Sequence, residues 1–330
     1  MALHFKETKL EAVVIGLGPL GRRHLEGLFL SEVCKRIHIV DPSEIAIQDT
    51  LNFTRKNIVE NKRNGTELID HSDYEKLPKE VDLVIVSTNS RFRLSAVKSF
   101  FEKSYTSNMI LEKFLFFNSD DYKEFDTLLS KYGTNVYVNT PRRSMESYKK
   151  LKHELTDKRL NFLSVEGENW GLATSMIHFL DLFQFLTGRS NLDVLNFNEV
   201  KLDDAKSKRV GFQEMFGTLK GRFEDGPSFS ISSTESENTT VVVSLFVEDG
   251  VFVIDEVKES ISFIANKTGL ALENNIFRLE YVSEITAALV KKLNANQKID
   301  LTPFELSAYM HKKIIKGYYK SFPKNQFTVT

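Results

Sequence analysis

The stretch IGLGPLGRRH, residues 15–24, constrains the fold more than any other part of the sequence. It follows the apolar run EAVVI and precedes a segment with helical character, so its GxGxxG spacing joins a buried strand to a helix. The first glycine permits a tight turn, the second lets the backbone approach a pyrophosphate, and the third allows close helix–strand packing. The helix N-terminus then offers free N–H groups to the phosphates. We predict that a dinucleotide contacts Gly16, Gly18, Pro19, Leu20 and Gly21. The alternative is a glycine turn that binds no ligand.

An acidic residue, Asp41, ends the second predicted strand, RIHIV. A carboxylate in this place accepts hydrogen bonds from the adenosine ribose hydroxyls and repels a 2′-phosphate. The sequence therefore favours NAD over NADP as the cofactor. NADP stays possible, because Arg22, Arg23 or Lys35 would supply a cation for the phosphate.

A further predicted strand, VDLVIV, ends in three small polar residues, Ser87, Thr88 and Asn89. Ligands of doubly wound sheets bind at the carboxyl ends of the strands. These residues are therefore predicted to line the second ribose and the nicotinamide. Alternatively, Asn89 or Ser90 caps the following helix, and the two roles are compatible.

The pattern of strands and helices predicts an α/β fold with two domains. Apolar strands alternate with helices over residues 1–140, which indicates a doubly wound parallel sheet of the Rossmann type. Strands dominate later, and the Asp-Gly turn in VEDGVFVI favours a large open, mostly antiparallel sheet in an α+β domain over 141–330. The last helix is free to pack back on the first domain. Helices are predicted over 43–64 and 276–294, among others, and Thr302 is predicted to cap the last helix.

Composition narrows the function classes. Lys plus Arg total 44 and Asp plus Glu total 45, a balance that argues against a nucleic-acid groove. The single cysteine, Cys34, excludes an internal disulfide and suits a reducing cytoplasm. No signal peptide, no membrane span and no metal site are predicted. We expect a cytoplasmic protein.

Together these stretches resemble the Gfo/Idh/MocA family of oxidoreductases over nearly the whole chain. The glycine loop with His24 matches the family's GxGxxGxxH, Glu112-Lys113 matches its Glu-Lys-Pro, and HFLDLFQFLTG matches its His-x-x-Asp helix. The resemblance implies an N-terminal Rossmann domain and a C-terminal sheet that often forms a dimer or tetramer interface. A homodimer or homotetramer is therefore expected.

The resemblance makes Lys113 the leading catalytic candidate. In the family this lysine points at the substrate hydroxyl beside nicotinamide C4, and the preceding residue, here Glu112, helps line the cofactor site. A lysine beside a positively charged nicotinamide loses proton affinity, which suits acid–base work near neutral pH. Phe114 replaces the family's proline, whose peptide bond is often cis. The alternative is a strand-end ion pair in solvent.

His178 is the second catalytic candidate, although a lone histidine on an apolar helix is commonly a core residue. The resemblance implies that its imidazole accepts the hydroxyl proton during hydride removal. Asp181, one turn away, would hold the imidazole or cap a loop. Thr174 stands where the family commonly has an aspartate, and a hydroxyl cannot act as a base near pH 7.

Five residues are predicted to contact substrate: Thr174 and Asp181 on this helix, together with Arg142, Arg143 and Trp170. Arg142 and Arg143 suit a carboxylate or phosphate, or they begin a solvated basic helix. Trp170 forms an apolar wall for a sugar ring, or packs in the core. The segment GENWGLATSMIHFLDLFQFL most resembles family members encoded with surface-sugar biosynthesis.

The predicted function is an NAD(P)-dependent oxidoreductase that moves hydride between the nicotinamide and a hydroxyl or keto carbon. The substrate is a sugar or a sugar derivative, including nucleotide-activated and acidic sugars. One alternative is an enzyme that uses bound NAD transiently for epimerisation or elimination. Another is a non-catalytic NAD-binding regulator.

Overall fold

A computed structural model of the chain describes residues 9–58, 65–203, 211–266 and 271–329. The chain divides into two compact units, the first formed by Met1–Pro141 with Glu280–Phe304 and the second by Arg142–Leu279 with Glu305–Thr330. The predicted division differs from this one, because residues 280–304 return to the first unit. The last helix, in turn, groups with the second unit from Glu305 onward.

The elements alternate over the first part of the chain: β1 Leu10–Ile15, α1 Pro19–Ser31, β2 Cys34–Val40, α2 Glu44–Asn57, β3 Glu67–His71, β4 Glu80–Val81, β5 Leu83–Val86, α3 Ser90–Lys103, β6 Tyr105–Thr106, β7 Asn108–Leu111, α4 Ser119–Tyr132 and β8 Asn135–Val138. The chain continues with α5 Glu146–Glu154, β9 Leu160–Glu168, α6 Leu172–Thr187, β10 Leu192–Asp203, β11 Glu214–Phe223, β12 Ser228–Ser233, β13 Thr240–Val247, β14 Gly250–Asp255, β15 Ser260–Ala265, β16 Ala271–Ile276, α7 Val282–Asn294, β17 Thr302–Pro303 and α8 Phe304–Ser321. None of these helices, within the described residues, has the length and apolarity that crossing a bilayer requires.

The first unit is built on a sheet with the strand order β17-β8-β7-β5-β1-β2-β3. The strands pair in parallel, except for β17, which runs antiparallel to β8. All four residues of β5 and five of the six in β1 are buried, as expected for a sheet covered on both faces. The chain leaves β1 toward β2 on one side and returns to β5 on the other. The loop after β1 therefore lies at the topological switch point, where such sheets bind ligands.

The second unit carries a sheet with the order β10-β11-β12-β9-β13-β14-β15-β16. Its pairs are antiparallel apart from β12 with β9. The buried residues of β13 alternate with outward ones, and helix α6 packs against β9, β11 and β12. Both predictions of sheet type are therefore confirmed.

Three local predictions need correction. Helix α2 ends at Asn57, and residues 59–64 of the predicted helix lie outside the described residues. Helix α7 begins six residues later than predicted, at Val282, because 271–276 pair with β15 as a strand. Thr302 belongs to β17, and its hydroxyl lies 2.9 Å from the Thr140 hydroxyl.

Candidate active site

The glycines after β1 divide into two that are packed and one that is open. A Cβ on Gly16, whose φ is +89°, would lie 2.8 Å from the Thr88 backbone nitrogen. A Cβ on Gly21 would lie 2.0 Å from the Gly16 carbonyl oxygen. A Cβ on Gly18 would meet no atom within 4 Å. Gly16 and Gly21 thus hold the loop against the sheet, while Gly18 borders open space.

The open side of this loop fits a dinucleotide pyrophosphate. Gly18 is the N-cap of α1, and no side chain of the described residues caps the helix there. Pro19 occupies the first turn, so the next two residues, Leu20 and Gly21, present the leading N–H groups. Free N–H groups at a helix N-terminus, beside space left by a missing side chain, are what a phosphate requires.

Asp41 lies beside the glycine loop, as predicted from its place after β2. Its Oδ2 accepts a hydrogen bond from the Leu17 N–H at 2.8 Å, and its Oδ1 accepts one from the Ser43 N–H at 2.9 Å. Each oxygen keeps a second lone pair, and the residue is half-buried. The carboxylate is therefore fixed in orientation and still able to accept bonds from a ribose.

The three cations considered for NADP lie in different places. The Arg22 Nε donates to the Leu17 carbonyl at 3.2 Å, close to the backbone that Asp41 binds. The Arg23 side chain pairs with Glu26 at 2.9 Å. Lys35 pairs at 3.3 Å with a residue at the start of β1, at the opposite end of the strands from the loop. Arg22 is thus the cation near the ribose side of the loop, and Lys35 is not.

The polar residues after β5 hold the glycine loop from the other side. The Ser87 hydroxyl donates to the Gly16 carbonyl at 2.6 Å. The Thr88 Oγ1 is buried with no hydrogen-bond partner among the described residues, a group that a bound ligand would satisfy. Asn89 caps α3, since its side chain accepts from the Arg91 N–H at 3.1 Å. The predicted capping role is therefore present, and the cofactor-facing role stays a prediction.

Lys113 is the exception in a buried segment. From 109 to 116 every residue is buried except this one, which is half-buried. Lys113 lies two residues after β7, whose carboxyl end lies at the same sheet edge as those of β1 and β5. The peptide bond between Lys113 and Phe114 is cis. A charged side chain that alone leaves a buried stretch at this edge is well placed for chemistry.

Glu112 forms a buried polar network instead of ending in solvent. Its Oε1 accepts hydrogen bonds from His24 Nε2 at 3.0 Å and from the Asn139 amide. The other nitrogen of the His24 ring lies 2.9 Å from the Thr286 hydroxyl on α7. Burial would raise the pKa of Glu112, but the bond from His24, the amide and the charge of Lys113 lower it below its usual range. The histidine and the glutamate of the two sequence motifs thus contact each other.

His178 and Thr174 lie one turn apart on α6, and both are half-buried. The helix ends at Gly188, whose φ of +69° confirms the predicted stop. Its N-terminus is capped from β11, because Glu214 accepts the Ala173 N–H at 2.9 Å. No sequence pattern predicts this cap, because Glu214 and Ala173 are distant in the chain.

Asp181 binds Arg143 through both of its carboxylate oxygens. The Arg143 Nε and Nη2 donate to the two Asp181 oxygens, each at 2.9 Å, and Nη2 also reaches Gln184 at 3.2 Å. Asp181 is 2% exposed. This bidentate pair occupies the guanidinium, so the geometry does not support a substrate role for Arg143.

Arg142 is also held by a carboxylate. It donates to both oxygens of Glu256 at 2.7 and 2.5 Å and lies 4.1 Å from the centre of the Phe179 ring. The Tyr148 hydroxyl donates to the same carboxylate at 2.5 Å. Burial and the Glu256 charge raise the pKa of Tyr148 well above its usual range. The predicted substrate role of Arg142 gains no support from this cluster.

Trp170 packs as a core residue. It is 9% exposed, its ring meets that of Phe179 edge-on at 5.2 Å, and its Nε1 donates to the Ser232 carbonyl at 2.9 Å. The alternative interpretation, packing, accounts for all of these contacts.

Comparison with known sequences identifies the first unit. Residues 10–140 match the profile of the Gfo/Idh/MocA family, described as an oxidoreductase family with an NAD-binding Rossmann fold. The first unit is therefore similar to the nucleotide-binding domain of these oxidoreductases. Its cofactor is accordingly NAD or NADP. No protein of curated function matches the sequence.

Solved structures share the fold of this chain at low sequence identity. UDP-N-acetylglucosamine 3-dehydrogenase from Acidithiobacillus ferrooxidans is 12% identical, with a TM-score of 0.68 over 95% of this chain and 96% of that chain. Scyllo-inositol dehydrogenase from Lactobacillus casei, solved with NAD(H) and scyllo-inositol, is 14% identical, with a TM-score of 0.65 over 96% and 98%. Biliverdin reductase from Synechocystis sp. PCC 6803, solved with biliverdin and NADP+, is 12% identical, with a TM-score of 0.69 over 93% and 98%. These likenesses concern the fold alone.

Proposed function

We propose that this oxidoreductase transfers hydride between NAD and the carbinol or keto carbon of a sugar or sugar derivative. The half-buried position of Lys113 in an otherwise buried segment carries the proposal, because an amine at the ligand-binding edge of the sheet can exchange a proton with a substrate hydroxyl. Two of the similar structures are dehydrogenases named for a sugar nucleotide and an inositol, which supports a polyol-like substrate. The surface-sugar subgroup remains a hypothesis within this class.

The chain's own contribution is orientation and proton exchange. The chemistry that NAD supplies when bound is hydride transfer at nicotinamide C4. In the oxidising direction, the neutral Lys113 amine takes the hydroxyl proton as the carbinol carbon gives up its hydride, so a ketone and an ammonium group result. In the reducing direction, the Lys113 ammonium returns that proton to the new hydroxyl. The buried network of Glu112 fixes the strand end that bears the lysine.

His178 is assigned a second proton-exchange role. Its half-buried position on α6, one turn from Thr174, leaves the imidazole neither fully solvated nor sealed in the core. A neutral imidazole in such a place can accept a hydroxyl proton near neutral pH. Because Thr174 cannot act as a base, proton exchange falls to His178 and Lys113.

The decisive experiment separates binding from turnover. Wild-type protein is titrated with NADH and with NADPH by calorimetry, and then assayed with NAD against a panel of sugars, uronic acids and nucleotide sugars. Lys113→Met should lower kcat by about 10²- to 10⁴-fold, the range for one acid–base group, and leave the NADH Kd within about threefold. Lys123→Met, at a side chain 76% exposed, is the matched control.

Each result has a defined meaning. NADPH preference would contradict the assignment of Asp41 and point to Arg22. Failure to bind either nucleotide would overturn the proposal. Nucleotide binding with isomerised or cleaved product, but no net change in NADH, would favour transient use of NAD. Binding with no activity on any substrate, unchanged by Lys113→Met, would favour a regulator.

We also propose that the chain self-associates through the outer face of the second sheet. Phe162, Phe246, Val251 and Ile264 are register partners on four adjacent strands, from β9 through β13 and β14 to β15. Phe246 is 41% exposed, and the other three are partly exposed. A continuous apolar row on a sheet face is typical of a homodimer interface.

A further inference from the structure

Arg93 is a buried cation for which the proposed chemistry has no role. It lies on α3 and is 1% exposed. Its Nη2 donates to the Thr88 carbonyl at 2.5 Å, and its Nη1 donates to the carbonyls of Phe114 and Leu115, the latter at 2.9 Å. Taking a guanidinium out of water is costly. A guanidinium buried against backbone carbonyls therefore needs those carbonyls to be held in the geometry of its donors.

The carbonyls that Arg93 binds come from two different loops of the ligand-binding edge. Thr88 follows β5, and its backbone nitrogen packs against Gly16 of the glycine loop. Phe114 and Leu115 follow Lys113 directly. One planar fork thus ties the loop beside the cofactor phosphates to the loop that bears the lysine. A guanidinium holds such an arrangement more rigidly than an ammonium, because its donors are fixed relative to one another.

Lys113 is therefore fixed on both flanks. On its N-terminal side, the Glu112 carboxylate is bound by His24 and Asn139. On its C-terminal side, the next two carbonyls are bound by Arg93. Together these anchors fix the backbone from which the Lys113 side chain extends.

We propose that Arg93 is a positioning residue that aims Lys113 by locking the loop after β7 to the loop after β5. It does not itself contact substrate. The functional meaning rests on the proposed role of Lys113, but the positioning effect is measurable without any substrate.

The test is the pH dependence of Lys113 acetylation in the full chain. Competitive labelling with acetic anhydride, resolved by mass spectrometry, gives the titration midpoint of Lys113, with Lys123 as an internal reference. Arg93→Lys keeps the positive charge but loses the planar pair of donors. A shift of the Lys113 titration midpoint in this variant therefore reports a change in position and not the loss of a nearby charge. Arg93→Met loses both. Lys98→Met, an exposed cation on the same helix, is the control.

We expect the midpoint of Lys113 to rise by about half a pH unit or more in Arg93→Met, because a looser loop admits water and a nearby cation is gone. Arg93→Lys should give a smaller rise in the same direction, and Lys98→Met none. In Arg93→Ala, millimolar guanidinium chloride should return the midpoint toward the wild-type value, whereas equal urea should not.

A midpoint equal to that of the wild type in both Arg93 variants would overturn the proposal, even if their thermal stability falls, because Arg93 would then only support the fold. If Arg93→Met does not fold, the Arg93→Lys midpoint decides alone. The proposed function is read separately, from wild-type labelling with and without NADH. A Lys113 that NADH does not protect would contradict the placement of the lysine beside the cofactor and leave the Arg93 result standing.

Discussion

At the scale of single residues, the hydrogen bonds to the buried Glu112 carboxylate should contribute measurably to the free energy of unfolding. His24→Ala removes one donor from a carboxylate that is 3% exposed and leaves its charge poorly compensated. Leaving a buried carboxylate without one of its donors costs about 1–3 kcal/mol of unfolding free energy or more. Urea unfolding at neutral pH measures it. The exposed His153→Ala should change stability by less than about 0.5 kcal/mol, and an equally small effect of His24→Ala would contradict the network.

A second residue-scale prediction concerns pH. The His38 Nε2 lies 3.0 Å from Glu11, and the His38 Nδ1 lies 2.9 Å from the His71 Nε2. Burial and the neighbouring His38 charge lower the pKa of His71, against a partial opposing effect of nearby Asp70 and Asp73. The unfolded chain, whose histidines titrate near about 6.5, then binds the proton more readily. The stability that neutral His71 contributes is present above that pH and is lost as the pH falls.

The measurement compares wild type with His71→Leu. Between about pH 7.5 and pH 5.5, the unfolding free energy of the wild type should fall more steeply than that of the variant. If the two curves were parallel, His71 would have the same pKa in the folded and the unfolded chain, and the prediction would be wrong.

At the scale of elements, the junction of β1 and α1 separates folding from ligand binding. Gly21→Ala forces a Cβ to 2.0 Å from a carbonyl oxygen and should destabilise by about 3 kcal/mol or more. Gly18→Ala has room for its Cβ and a φ of −63° that alanine adopts readily. We expect unchanged stability in Gly18→Ala but at least about tenfold weaker NADH binding, since its methyl enters the space for the pyrophosphate. Calorimetry and thermal unfolding measure the two effects, and full NADH affinity in Gly18→Ala would contradict the placement.

The same junction shows what the sequence predicts well and what it does not. Strand alternation and the Gly188 stop follow local rules of spacing and turn chemistry, and both appear in the structure as expected. The glycine loop joins β1 to α1, and Asp41 lies beside it after β2, while their ligand-binding roles stay predictions. Side-chain partners do not follow such rules. His24 bonds a residue 262 positions away, and Arg142 pairs with one 114 positions away. The sequence pattern therefore predicts that Arg142 and Arg143 bind substrate, whereas each binds a carboxylate of the folded chain.

At the scale of the whole molecule, self-association through the second sheet gives the last prediction. Phe246→Glu places a charge in the middle of the apolar row. Burying an unpaired carboxylate there would cost more free energy than the apolar contact between subunits contributes. The variant should therefore sediment at a lower mass than the wild type, at a protein concentration where the wild type is fully assembled. Lys258→Glu, in the turn between β14 and β15 and 79% exposed, changes the charge without touching the row and should keep the wild-type mass. A wild type that sediments as a monomer, or a Phe246→Glu variant that assembles like the wild type, would show that this face does not join the subunits.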